Sequence, residues 1–144
     1  MYDIKEILSK YKNIAMVGVS KNPTKASTIV MKYMQEYGFK VYPVNLEAKG
    51  QKILGEEVCG KITDIKGKVD IVNVFRPSKE ALDIARDAIK IKAKVLWLQL
   101  GIKNLEAKKL VEEKKIRYIE NRCTKMEYQK HFLKVRQAFP VLED

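Results

Sequence analysis

The sequence predicts an α/β domain built on a five-stranded parallel sheet with helices on both faces. Three observations lead there. Short apolar runs alternate with amphipathic stretches along the whole chain, and every parallel strand pair needs such a crossover. The runs at 14–17 (Ile14, Ala15, Met16, Val17) and 69–75 are almost continuously apolar, as strands covered on both faces are. The first run stops at Gly18 and passes through a polar loop into a stretch of helical period, with Ala26, Ile29, Val30, Tyr33, Met34 and Tyr37 on one stripe.

Residues 2–12 predict a short helix with Ile4, Ile7, Leu8 and Tyr11 on one face. Strand one follows at 13–19, and the loop 20–25 leads into the first long helix with Thr24 as its N-cap. Gly38 stands at the usual C′ position of that helix. Strand two covers 40–44 and ends in Pro43-Val44-Asn45. Gly50, Gly55, Gly60 and Gly67 divide 46–68 into short pieces, with one helical turn expected near 62–65. Strand three, 69–75, stops at Arg76-Pro77. Ser78 is expected to cap the next helix, Glu80 suits its first turn, and Ala81, Leu82, Ile84, Ala85, Ala88 and Ile89 form its buried face.

Strand four, 94–100, contains Trp97, which reads as core rather than as a base-stacking platform. Gly101 turns the chain, Asn104 caps a helix running through Lys114, and 116–119 is strand five. Thr124 and Glu127 have capping-box spacing, opening a helix whose apolar face is Tyr128, Phe132, Val135 and Phe139. Right-handed crossovers then place strand one at the centre, in the order 3-2-1-4-5, with residues 1–144 forming one domain. Ligands of such sheets bind at the carboxyl ends of the strands, here 18–22, 44–45, 75–77 and 99–101.

The chain carries a formal net charge of +11, from 29 Lys and Arg against 18 Asp and Glu. The basic residues, mostly Lys, are spread from Lys5 to Arg136 without an arginine-rich helix or a block of like charge. A solvated lysine surface together with an anionic ligand accounts for this, and nucleic-acid binding stays as an alternative without a recognition helix to carry it. Heavy Lys and Glu use resembles the composition of thermophile proteins. The two cysteines, Cys59 and Cys123, have neither metal-ligand spacing nor the pattern of a disulfide framework. Residues 1–12 lack the apolar core of a signal peptide, and no apolar run is long enough to cross a bilayer, so a cytoplasmic protein without a membrane partner is expected.

A strand delivered through Gly18 into a helix N-terminus is a ready phosphate site, because free backbone N–H groups and the positive end of the helix dipole point the same way. NAD fits poorly. Its fingerprint needs three glycines and an acidic residue about 20 positions on. The loop Gly18-Val19-Ser20-Lys21-Asn22-Pro23 has only the first glycine, and strand two ends in Asn45, with Glu47 beyond it in a loop. Ser20, Lys21 and Asn22 instead supply hydroxyl, ammonium and amide donors, which suits a ligand richer in phosphate.

These stretches, with 69–77, Leu96-Trp97-Leu98-Gln99-Leu100-Gly101-Ile102 and Asn121-Arg122-Cys123 followed by Glu127, resemble the small CoA-binding proteins. That family is similar to the N-terminal domain of the succinyl-CoA synthetase α subunit. The resemblance covers roughly residues 12–132 and implies a Rossmann-like fold with coenzyme A at its strand ends. Carried onto this chain, it makes Gly18, Val19, Ser20, Lys21, Asn22 and Pro23 the phosphate loop, with Val19, Ser20 and Lys21 around the diphosphate and Lys21 or a neighbouring lysine near the 3′-phosphate. Asn45 and the Phe75-Arg76-Pro77 turn border the adenosine half, and Gln99 and Gly101 line the path toward pantetheine. The synthetase also needs a second domain with a phosphorylated histidine and a partner subunit. This chain is too short for that domain, and its one histidine, His131, reads as a helix-packing residue.

Several of these residues have plainer readings. Asn45 could cap the strand–loop junction, and Arg76 could pair with a surface carboxylate. Cys123 follows strand five on the ligand side, where it could approach the CoA thiol and form a mixed disulfide. No nucleophile–base pair, carboxylate dyad or metal cluster stands out, so the reading is recognition of CoA or an acyl-CoA by a carrier, sensor or adaptor with an unidentified protein partner. The alternatives are an NAD(P)-dependent reductase, an acyl-CoA enzyme completed by a partner, and a basic nucleic-acid-binding protein.

Overall fold

Alternate residues of each strand feed two separate cores, and this builds a three-layer sandwich. The computed structural model describes residues 2–133. Helix α1 (Ile4–Lys10) is capped by Asp3, whose carboxylate accepts from Glu6 N. It leads into β1 (Asn13–Val17), α2 (Ala26–Glu36) and β2 (Lys40–Val44). A 3₁₀ turn (Leu46–Ala48) and a small hairpin, β3 (Lys52–Ile53) with β4 (Glu56–Glu57), precede β5 (Ile71–Val74). Then come α3 (Ala81–Lys90), β6 (Val95–Leu98), α4 (Leu105–Glu113), β7 (Arg117–Ile119) and α5 (Thr124–Tyr128), which runs into a π turn at Gln129–Leu133.

Ile14, Met16, Ile71, Val95 and Trp97 face one core with Ile7 and Leu8 of α1, Met31 and Met34 of α2, and Tyr128 and Phe132 at the end of the described chain. Ala15, Val72, Val74, Leu96 and Leu98 face the other, against Ala81, Ala85 and Ala88 of α3 and Ala107 and Val111 of α4. The small alanines let α3 lie close to the sheet. On α2 the buried stripe is rotated from the expected one: Met31 is fully buried, whereas Ile29 is 44% exposed. The expected apolar residues Val135 and Phe139 lie outside the described residues.

The parallel five-stranded sheet has the order β2-β1-β5-β6-β7. Counting its strands in sequence gives 2-1-3-4-5 rather than 3-2-1-4-5, so β5 holds the centre and β2 an edge. Pro43 supplies the physical reason. A strand residue points its N–H and C=O to the same edge, and Pro43 O accepts from Cys59 N on the side away from β1. A further strand beyond β2 would need the N–H that proline lacks, so β2 can only be an edge strand. A single bridge, Val44 to Cys59, covers that edge instead.

Caps differ from expectation in three places. The N-cap of α2 is Lys25 rather than Thr24, whose hydroxyl donates to Asn22 Oδ1 at 2.7 Å. Ser78 opens a 3₁₀ turn (Ser78–Glu80) and its hydroxyl accepts from Lys103 N, so α3 begins only after Glu80. Thr124 donates its hydroxyl to buried Asn73 instead of closing a capping box with Glu127. By contrast, Asn104 caps α4 by accepting from Ala107 N at 2.9 Å, and Gly38 follows α2 at φ +92° with its N–H on Gln35 O.

The far end of the sheet is locked by Asp70, 2% exposed, whose Oδ2 accepts from Asn13 N and Nδ2 at 3.3 and 3.0 Å. Asp70→Ala strands both Asn13 donors, and we expect it to lower unfolding free energy by about 1–3 kcal/mol in urea titration. A change within about 0.5 kcal/mol, typical of surface sites, would mean that water replaces the carboxylate at no cost.

Candidate functional site

Gly18 brings the carboxyl ends of β1 and β5 together. Its N–H donates to Val44 O at 2.7 Å, and Phe75 N donates to Val17 O at 2.8 Å. Its φ is +97°, and a Cβ there would stand 2.8 Å from Phe75 O and 2.9 Å from Arg76 Cδ. The turn therefore needs glycine for both conformation and space. β1 and β5 flank the point where successive connections run to opposite sides of β1, which is where ligands of open parallel sheets bind.

A groove lies over this point in two joined parts that share Gly18, Asn45, Glu47 and Arg76. One part, about 330 Å³, has apolar walls from Val17, Val44, Leu46 and Ile84, with Gly60 and Glu80 completing it. The other, about 530 Å³, opens along the loop residues Ser20, Lys21 and Asn22, with Ala48 opposite.

The loop is held by its own hydrogen bonds. Ser20 N donates to Ser27 Oγ at 3.0 Å, Thr28 Oγ1 donates to Ser20 O, and Asn22 N donates to Ser20 Oγ at 3.0 Å. These contacts fasten the loop onto the first turn of α2. That helix starts against the usual preferences. No side chain caps it, no acidic residue occupies its first turn, and a lysine stands at the N-cap. Nothing within the helix start offsets the positive end of its dipole.

Asn45 serves the junction. Its Nδ2 donates to Val19 O at 2.9 Å, and its Oδ1 accepts from Glu47 N at 3.0 Å. Arg76 is gripped by Glu80, Nε to Oε1 at 3.0 Å and Nη2 to Oε2 at 2.8 Å. These hydrogen bonds hold the Glu80 carboxyl below its ordinary value and raise Arg76 above its own.

Of the twelve residues expected at the site, six line this groove: Gly18, Ser20, Lys21, Asn22, Asn45 and Arg76. The Val19 side chain is fully buried in the core, leaving only its backbone to the loop. Pro23 faces a separate cleft with Ile29, Tyr33 and Leu54. Phe75 packs against the core, and Pro77 starts the turn that carries Glu80. Gln99 is 5% exposed, and its Oε1 accepts from Asn73 Nδ2 at 3.1 Å and Thr124 N at 3.3 Å. Gly101, at φ +81°, donates to Asn121 Oδ1 at 2.7 Å. Gln99 and Gly101 thus belong to a shelf beside the groove, where the ends of β6 and β7 are tied together. Cys123 is 7% exposed and part of the core. His131 lies on the π turn, 3.5 Å from Glu127 Oε1.

Leu46, Gly60, Glu80 and Ile84 also line the groove, and sequence reasoning gave them no part in it. One signal was available: Glu80 stands four residues after Arg76, the spacing of a helical ion pair. The exposure of Leu46, 69%, shows only in the folded chain.

A groove at the switch point of a parallel sheet, closed by a glycine turn, defines the Rossmann-like α/β class. Comparison with known proteins narrows this. The family described as a CoA binding domain matches residues 12–129, and the chain belongs to that family. It is 38% identical over 124 residues to the uncharacterized protein YneT of Bacillus subtilis, covering 86% of this chain and 90% of that one. A hypothetical protein from Pyrococcus horikoshii superposes with a TM-score of 0.85 at 39% identity, over 89% of each chain. The α subunit of ADP-forming acetate–CoA ligase I from Pyrococcus furiosus is 33% identical over 78 residues, which is 51% of this chain but only 17% of that subunit.

Proposed function

We propose that the groove binds coenzyme A or an acyl-CoA, and that the chain acts by recognition, as a carrier, sensor or adaptor. The carrying observation is the shape and chemistry of the two-part groove. Its apolar part suits adenine, and its loop part suits phosphate, with the Ser20 hydroxyl and the Lys21 ammonium beside a helix start that no side chain caps. Membership of the CoA-binding family supports the same ligand. In this reading pantetheine leaves the groove toward the shelf of Gln99 and Gly101. Among the described residues neither His nor Cys lines the groove, and one of the two carboxylates there is tied to Arg76. That donor set serves binding better than acyl transfer.

Calorimetric titration with CoA and with NADH tests the reading. The wild-type chain should bind CoA and not NADH. Lys21→Ala should weaken CoA binding about fivefold at low ionic strength, as loss of one exposed charge contact does. NADH binding, or a Lys21→Ala variant equal to wild type, would reject the loop assignment.

A further inference from the structure

We propose that Glu80 sets the ligand affinity of the groove by latching Arg76, and that a ligand phosphate opens the latch. The inference rests on the CoA reading above and extends it to how the site is tuned. Arg76 stands where the two parts of the groove meet, with its Cδ against the Gly18 turn. Both carboxylate oxygens of Glu80 hold it, engaging Nε and Nη2 together. That edge of the guanidinium is also one with which arginine grips a phosphate. Glu47 lines both parts of the groove and adds a second negative charge facing Arg76. Without ligand, the arginine at the centre of the groove is therefore already neutralised.

The turn decides which partner moves. Pro77 and the 3₁₀ turn hold Glu80 in place, and the turn is pinned to the loop after β6. Lys103 N donates to Ser78 Oγ at 3.0 Å, and Asn104 Nδ2 donates to Ser78 O at 2.9 Å. Glu80 is the fixed post and the longer Arg76 side chain is the arm. The pair is open to solvent, with side-chain exposures of 47% and 38%. An exposed pair of this kind is weak, so exchanging the carboxylate for a phosphate costs a few-fold in affinity rather than blocking entry. The latch makes the groove bind its ligand less tightly than its donors allow.

Calorimetric titration of CoA into wild type, Glu80→Gln, Arg76→Gln and the double variant, at low ionic strength, tests this as a double-mutant cycle. Glu80→Gln should bind about two- to fivefold tighter than wild type, and Arg76→Gln should bind more weakly. Added to Arg76→Gln, the Glu80→Gln change should alter affinity by less than about twofold, because the arm is gone. A merely structural Glu80 would give loss rather than gain. Wild-type binding with no gain in Glu80→Gln overturns the latch and leaves the CoA reading standing. An equal gain without Arg76 also overturns it, because Glu80 would then act by repelling phosphate directly. CoA binding by Glu80→Gln but not by wild type supports a latch tighter than stated. CoA binding by none of the four proteins overturns both readings.

Discussion

Gly18→Ala should lower unfolding free energy by about 2–6 kcal/mol and weaken CoA binding more than about tenfold in whatever protein still folds. The first figure joins about 1–3 kcal/mol for a non-glycine residue held at positive φ to a similar cost for forcing atoms into filled space. The added methyl would stand 2.8 Å from Phe75 O, a backbone atom at the end of β5 that a rotamer change cannot move aside. Relief requires the ends of β1 and β5 to separate, and that widens the floor of the groove. Gly50→Ala is the control. Gly50 also has positive φ, +85°, but nothing lies within 4 Å of its added Cβ. It should cost only about 1 kcal/mol and leave CoA affinity unchanged. Equal effects of the two substitutions in urea titration and calorimetry would show that strain, rather than the close approach of two strand ends, is what glycine relieves at position 18.

Trp97→Ala should be the most damaging core substitution, about 3–5 kcal/mol. The indole is fully buried on β6, and its Nε1 donates to Arg122 O at 2.8 Å. Truncation leaves a large cavity beneath α5 and frees the turn that delivers residues 121–124. Trp97→Phe keeps most of the volume and loses the hydrogen bond, so it should cost clearly less. Urea titration followed by circular dichroism measures both variants, since the chain's one tryptophan is the residue removed. A loss below about 1 kcal/mol for Trp97→Ala would mean that the surrounding side chains collapse into the space.

Much of the architecture was legible because strand and helix periods differ so plainly. The apolar runs around Ile14, Ile71 and Val95 and the stripe on α3 admit few other readings. The strand order differs from 3-2-1-4-5 because crossover handedness does not fix which side of β1 the third strand takes, whereas Pro43, with no donor on the outer side of β2, does. The hairpin of β3 and β4 escaped because each of its strands has only two residues, too few to show a period. The caps were misread where a hydroxyl found a tertiary partner. Thr124 reaches Asn73 across the sheet, and Ser78 reaches Lys103, neither of which is near in sequence.

At the groove, Gly18 and its polar loop were readable from local chemistry alone. Gln99 and Val19 were not, because a strand end offers side chains to both the interior and the opening, and a sequence does not say which way the last residue turns. Glu80 stood four positions from Arg76, yet the pair gains meaning only where the fold sets it between two clefts.

The strand order also bears on how the chain is made. β1 is committed on both edges, to β2 on one side and to β5 on the other, and β5 is encoded more than fifty residues later than β1. During synthesis from the N-terminus, α1, β1, α2 and β2 emerge first and can assemble only half of the ladder around β1. The inner edge of β1, formed by the backbone groups of Asn13, Ala15 and Val17, then waits without a partner until residues 71–74 are out. The central joint of the sheet, which is also the floor of the groove, is therefore among the later contacts a growing chain can close, and β6 and β7 can only be added onto it.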